Sequence, residues 1–145
     1  MYVLTAATDA DKPWLDQLRR DAYRDLFDAT WGGWDEERHQ RHFAETWRAG
    51  HISIISVNGQ QVGILQLIER PDSLEVGEIQ IRPEHQNAGL GSRVLSDVLE
   101  HARQQYKPVT LYLGLKNTRA FELYKRLGFA ETGRSDTHIY MRCEH

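Results

Sequence analysis

The sequence contains a single cysteine, Cys143, close to its C-terminal end. That excludes an intramolecular disulfide and a cysteine-based metal cluster, and it leaves no well-placed thiol for a covalent acyl intermediate. A reducing, cytoplasmic setting is expected. Long apolar runs are also lacking, and the opening stretch MYVLTAATDADKPW has no basic segment leading into an apolar one. Neither a membrane span nor export is therefore expected. Charge of one sign is scarce: the net charge is −3, too mild and of the wrong sign for a dedicated nucleic-acid binder. No P-loop is present, because no Gly-Lys-Ser/Thr follows a glycine-rich turn, and no dinucleotide fingerprint, because its third glycine is missing. Internal repeats, low-complexity segments and linkers are absent too. The 145 residues suit one domain, 1–145, built on one core.

What is present is a change of periodicity along the chain. Residues 2–6 read as a short strand, and Thr8, Asp9 and Asp11 as caps before a helix whose stripe is Trp14, Leu15, Leu18, Ala22 and Leu26, ending near Phe27. Trp31-Gly32-Gly33-Trp34 interrupts this pattern as a loop. Asp35 can cap a second helix reaching about Trp47, with Gly50 beyond it. Next come HISIISV, an Asn58-Gly59 hairpin turn, QVGILQLIER and LEVGEIQI, three antiparallel strands. A helix over about 88–106, a strand over 109–115, a helix over 118–127 closed by Gly128, and two short terminal strands complete the chain. The order β-α-α-β-β-β-α-β-α-β-β implies an α+β fold whose central mixed, mostly antiparallel sheet is flanked by helices.

The segment with most chemical content starts in LEVGEIQI. Leu74 and Val76 set one phase of alternation and Ile79 and Ile81 the opposite one, so Gly77 and Glu78 absorb a slip, the signature of a β-bulge. Gln86-Asn87-Ala88-Gly89-Leu90-Gly91-Ser92 then opens the long helix. Glycines let backbone approach a ligand closely, and N–H groups at a helix N-terminus attract phosphate, so the loop suits a diphosphate; Arg82 and Arg93 could add charge-assisted contacts. A glycine pair that only makes a tight turn is the competing reading.

At this point the chain resembles the GCN5-related N-acetyltransferases. Their signature of Gln or Arg, two residues, Gly, one residue, Gly or Ala is matched by Gln86 to Gly91, and their second element by Leu111-Tyr112-Leu113, Asn117, Ala120, Leu123-Tyr124 and Gly128-Phe129. The resemblance covers residues 51–141 and, before that, element order alone. It implies acetyl-CoA as acyl donor, a primary amine as acceptor and no metal. Backbone groups along Ile79, Gln80 and Ile81 would pair with the pantetheine arm, and Gln86, Asn87, Ala88, Gly89, Leu90, Gly91 and Ser92 would cradle the pyrophosphate. Asn117 would bond the cofactor, and Tyr124 would protonate the leaving thiolate. Glu75 and Glu78 are both candidates for the general base, since a glutamate position frequent in the family falls on Gly77 here.

The acceptor side is expected among the helices after the first strand, where Tyr23, Trp31 and Trp34 are candidate contacts for a cationic amine. A small-molecule amine or amino-acid derivative fits a loop closed by the two tryptophans; a protein N-terminus or lysine, and a noncatalytic acyl-CoA-binding module, are the alternatives. Dimerisation, common among relatives, is compatible with the sequence. His39 and His42 have a spacing that can bind metal, but without a third nearby ligand they are read as surface residues, and His85 and His138 as structural.

Overall fold

The computed structural model of the chain describes residues 1–86 and 88–144. β1 (Tyr2–Ala6) leads through a 3-10 turn into α1 (Lys12–Trp31) and α2 (Glu36–Ala49). β2 (Ile52–Val57), β3 (Gln60–Glu69) and β4 (Leu74–Ile81) follow, then a second 3-10 turn over Pro83–His85, α3 (Leu90–Gln104), β5 (Val109–Gly114), α4 (Thr118–Arg126), β6 (Ala130–Arg134) and β7 (His138–Cys143). The expected order of elements is the observed one.

The strands form one sheet in the order β1-β2-β3-β4-β5-β7-β6. Short connections force antiparallel pairing of β2 with β3, β3 with β4 and β6 with β7, and Asn58 and Gly59 make the β2–β3 turn with φ of 53° and 80°, the left-handed pair of a two-residue hairpin. Among the described residues only β4 and β5 pair in parallel, because α3 carries the chain back across the sheet between them.

Each face of the sheet has its own apolar layer. On one, Val94, Leu95, Val98 and Ala102 of α3 pack with Leu74, Val76, Val109, Leu111 and Met141. On the other, Leu15 and Leu18 of α1 pack with Ile52, Ile54 and Ile64, flanked by Phe43 and Trp47 of α2. Full burial of such a side chain contributes about 1.5–3 kcal/mol. Among the described residues, no helix is long and apolar enough to cross a membrane.

α1 runs one turn beyond the stripe that ends at Phe27. The rings of Phe27 and Trp31, four residues apart, meet edge to face at 4.8 Å, and that contact carries the helix on to Trp31. Gly32, at φ 76°, then closes it with its N–H on the Asp28 carbonyl. Asp35 caps α2 as expected, its carboxylate accepting the Arg38 N–H at 3.0 Å.

Candidate active site

The phase slip read in β4 is a β-bulge. Gln66 of β3 opposes Glu78 and Leu67 opposes Val76, so Gly77 has no partner of its own. The cause lies across the ladder. A Cβ at Gly77 would stand 2.3 Å from Oε1 of Gln66, a buried side chain whose Nε2 donates to the carbonyls of Thr46 and Gly50, each at 2.9 Å. Gln66 thus ties β3 to the end of α2, and glycine is the residue that leaves it room. As a consequence Leu74, Val76, Ile79 and Ile81 share the face under α3, while Glu75, Glu78 and Gln80 share the face toward α1 and α2.

Glu78, 6% exposed, is enclosed by donors. The Tyr23 hydroxyl donates to its Oε2 at 3.1 Å, Nε2 of Gln80 donates to the same oxygen at 2.8 Å, and Nε2 of His42 lies 3.2 Å from Oε1. Burial pushes its carboxyl above the ordinary glutamate range, while the Arg19 charge and hydrogen bonds from Tyr23, Gln80 and the Thr46 side chain pull it back. His42 is driven the other way: burial, reinforced by the Arg19 charge, lowers its imidazole to about 4, so it is neutral at physiological pH. Glu75 differs. It is paired with Arg70 at 2.9 Å near the start of β4, and of the two carboxylates it is Glu78 that is desolvated.

Behind Glu78 a polar chain crosses α1 and α2. Arg19 stacks its guanidinium on the Tyr23 ring at 4.8 Å and donates through Nη1 to Nδ1 of His39 at 2.9 Å. Because arginine only donates, Nδ1 must accept; the ring proton sits on Nε2 and is donated to Asp16 at 2.6 Å. His39 is therefore wholly buried and His42 faces a carboxylate, against the expectation that both lie on the surface. Reading them as helix-surface residues overlooked that His39, His42, Phe43 and Thr46 form the inward stripe of α2. Arg19, four residues after Leu15, carried the same signal on α1. Among the described residues no group of three or more His, Cys, Asp or Glu is placed to hold a metal ion.

β4 and β5 pair only from Leu74 to Val76 and from Val109 to Leu111, and beyond that point they part. The Arg82 N–H bonds the Val62 carbonyl at 2.8 Å, which fixes the alternation of the β3–β4 ladder. Gln80 and Glu78 turn their backbone groups toward β3, and Ile79 and Ile81 turn theirs into the opening. The Ile81 carbonyl accepts from Nε2 of Gln86 at 2.9 Å, and Oε1 of Gln86 accepts from Arg119 at 2.9 Å, so the Gln86 side chain secures the loop to β4 and α4. Gly89, at φ 80°, turns the chain into α3, and open space lies where a Gly91 side chain would be. Leu90, Gly91 and Ser92 form the first turn of α3, with Ala88 exposed ahead of it. Asn87 lies outside the described residues.

Tyr124 of α4 is buried beside Phe129, ring centroids 5.8 Å apart. Burial, together with the Glu78 charge, raises its hydroxyl to about 12, so it holds its proton at neutral pH. Asn117 caps α4, its Oδ1 accepting the Ala120 N–H at 3.2 Å. Of the acceptor-side aromatics, Tyr23 reaches Glu78 directly. Trp31 belongs to the last turn of α1 rather than to a loop, and one of its faces is covered by the Arg38 guanidinium at 4.1 Å. Trp34 stacks on Phe27 at 4.3 Å and donates to Glu36 at 2.9 Å.

The sequence profile of the FR47-like protein family matches residues 56–139, from the end of β2 into β7. An uncharacterized N-acetyltransferase of Methanocaldococcus jannaschii is 31% identical over 54% of this chain and 38% of its own length. The mycothiol acetyltransferase of Salinispora tropica is 33% identical over 68% of this chain and 35% of its own. The chain thus spans little more than a third of these two relatives. In three dimensions it superposes on the PaiA N-acetyltransferase of Thermoplasma acidophilum, solved in complex with coenzyme A, with a TM-score of 0.76, covering 100% of this chain and 99% of that one at 14% identity. With its family profile spanning the bulged strand, the glycine turn and Tyr124, the chain belongs to the FR47-like family, within the GCN5-related N-acetyltransferases.

Proposed function

We propose that residues 1–145 act as one catalytic domain, an N-acetyltransferase that passes the acetyl group of acetyl-CoA to the primary amine of a small molecule, an amine or amino-acid derivative, in the cytoplasm. The observation that carries this reading is the parting of β4 and β5 beside a buried, donor-lined Glu78. The gap offers the backbone of Ile79 and Ile81 to an extended arm. Gln80, between them, spends its side chain on Glu78. The turn from Ala88 to Ser92 presents N–H groups and open space for a pyrophosphate, and Asn117, at the N-cap of α4, has its amide Nδ2 as a further donor. These features fit acetyl-CoA, whose thioester would supply the acyl group.

Glu78 takes a proton from the substrate ammonium, freeing the amine lone pair to attack the thioester carbonyl and form a tetrahedral intermediate; its burial places the carboxyl nearer neutrality, where a general base is most effective. Glu75, with Arg70 as its ion-pair partner, is the less favoured base. Tyr124 donates its phenolic proton to the thiolate as the C–S bond breaks, and its raised hydroxyl ensures that the proton is present. Tyr23 orients Glu78, and Trp31 and Trp34 shape the acceptor side. The test is turnover of acetyl-CoA against a panel of amines, amino acids, aminoglycosides and peptides, followed by thiol release. Release with small amines and none with peptides is the expected result; release with no amine at all would refute the catalytic reading, and release with peptides alone the choice of acceptor.

A further inference from the structure

One member of the enclosure around Glu78 is not explained by packing. His42 reaches the carboxylate from α2, the opposite layer from the strand that carries it. Its Nε2 is 3.2 Å from Oε1, whereas Tyr23 and Gln80 both occupy Oε2. Nδ1 of His42 is buried and has no hydrogen-bond partner among the described residues. A leucine or methionine would fill this place without burying an unsatisfied nitrogen, so the imidazole costs stability where it stands. Residues held at such a cost are concentrated at functional sites.

We propose that His42 is a positioning residue: as the Nε2–H tautomer it donates to Oε1 of Glu78, joining Tyr23, Gln80 and Thr46 in an enclosure of donors that orients the carboxylate and keeps it ionised and ready to take a proton. The inference rests on Glu78 as the proton acceptor proposed above. The tautomer follows from chemistry, since an ionised carboxylate can only accept; Nδ1 is then a bare lone pair, in keeping with its lack of a partner. His42 itself does not titrate near neutrality, so the titration it controls belongs to Glu78. The ionisable groups facing this pair are Arg19 and Tyr23 from α1, His39 and Glu45 from α2, Tyr112 from β5, Tyr124 from α4 and His138 from β7. All are present in every variant below, so a difference between variants reports the Nε2–H donor.

The experiment is a carbon-13 NMR titration of the full chain labelled at glutamate carboxyls, with the Glu78 signal assigned from its loss in Glu78→Gln. In His42→Leu the Glu78 midpoint should move up by about one pH unit, as expected for losing a hydrogen bond to a charged group. In His42→Gln, whose amide nitrogen can occupy the Nε2 position, it should return to within a few tenths of wild type. His42→Met serves as the apolar variant if leucine does not fold. An unchanged midpoint in the apolar variant, or a glutamine variant that behaves like leucine, overturns the proposal. The acid limb of kcat/KM, taken with the best amine of the panel, should move with the NMR midpoint in the apolar variant and stay in the glutamine variant. If Glu78→Gln keeps full turnover while the NMR shift is seen, it is the catalytic reading of Glu78 that fails, and with it the functional part of this proposal.

Discussion

Replacing Gly77 with alanine tests whether the bulge that delivers Glu78 is built around Gln66. The added Cβ would lie 2.3 Å from Oε1 of Gln66, about 1 Å inside ordinary contact, so the amide must swing away. Its Nε2 would then leave the carbonyls of Thr46 and Gly50. Losing two buried hydrogen bonds costs about 1 kcal/mol each, and the displaced side chain adds overpacking of about 1–3 kcal/mol. A destabilisation of about 3 kcal/mol is expected, read as a lower urea midpoint with an unchanged slope. The Gly77 φ lies outside the left-handed region, so the cost is steric rather than conformational. A double-mutant cycle makes the cause explicit: in a Gln66→Ala background the same change should cost less than about 1 kcal/mol, a coupling of about 2 kcal/mol. Additive effects, or Gly77→Ala within about 0.5 kcal/mol of wild type, would refute the account of the bulge.

Tyr124→Phe should lower kcat about 100-fold with little change in either KM if its hydroxyl protonates the leaving thiolate, the usual range for general acid catalysis being 10²–10⁴; steady-state kinetics decide it. Trp34→Ala should destabilise the protein by about 2 kcal/mol, through loss of the stack on Phe27, and raise the acceptor KM; an unchanged KM would show that Trp34 only packs on Phe27 and does not shape the acceptor side. His42 makes stability depend on pH. Its folded value of about 4 lies below the ordinary histidine value of 6.5, so between these limits the unfolded chain binds the extra proton and the fold weakens as pH falls, by up to about 1.4 kcal/mol per unit. Glu78, raised in the fold, works in the opposite sense, so the variant comparison isolates the histidine: His42→Gln should gain stability relative to wild type as urea titrations move from pH 7 toward 4. No relative gain would mean that the imidazole is not held neutral.

Read by itself, the sequence determined the order and type of the elements, because each face of the sheet demands its own periodicity in strands and helices. It also marked the bulge, since a change of alternation phase between Val76 and Ile79 has no other local explanation, and it marked the glycine turn from Gln86 to Ser92. The family followed from the resemblance of two motifs, Gln86 to Gly91 and Asn117 to Phe129, to those of the GCN5-related N-acetyltransferases, since the glycine spacing by itself was equally a tight turn. Tertiary structure decided the rest. That α1 reaches Trp31 depends on an aromatic contact that no stripe announces. The difference between Glu75 and Glu78 is one of desolvation, on which the proposal of Glu78 as base rests: both lie on one face of β4, but one has Arg70 and the other a buried enclosure of Tyr23, Gln80 and His42. His39 and His42 could not be placed without knowing which faces of α1 and α2 meet, because a polar side chain on the inward stripe of a helix looks like any surface residue until its partner, tens of residues away, is brought against it. Local pattern records where the chain turns and alternates; charge and burial are set by neighbours that only the fold supplies.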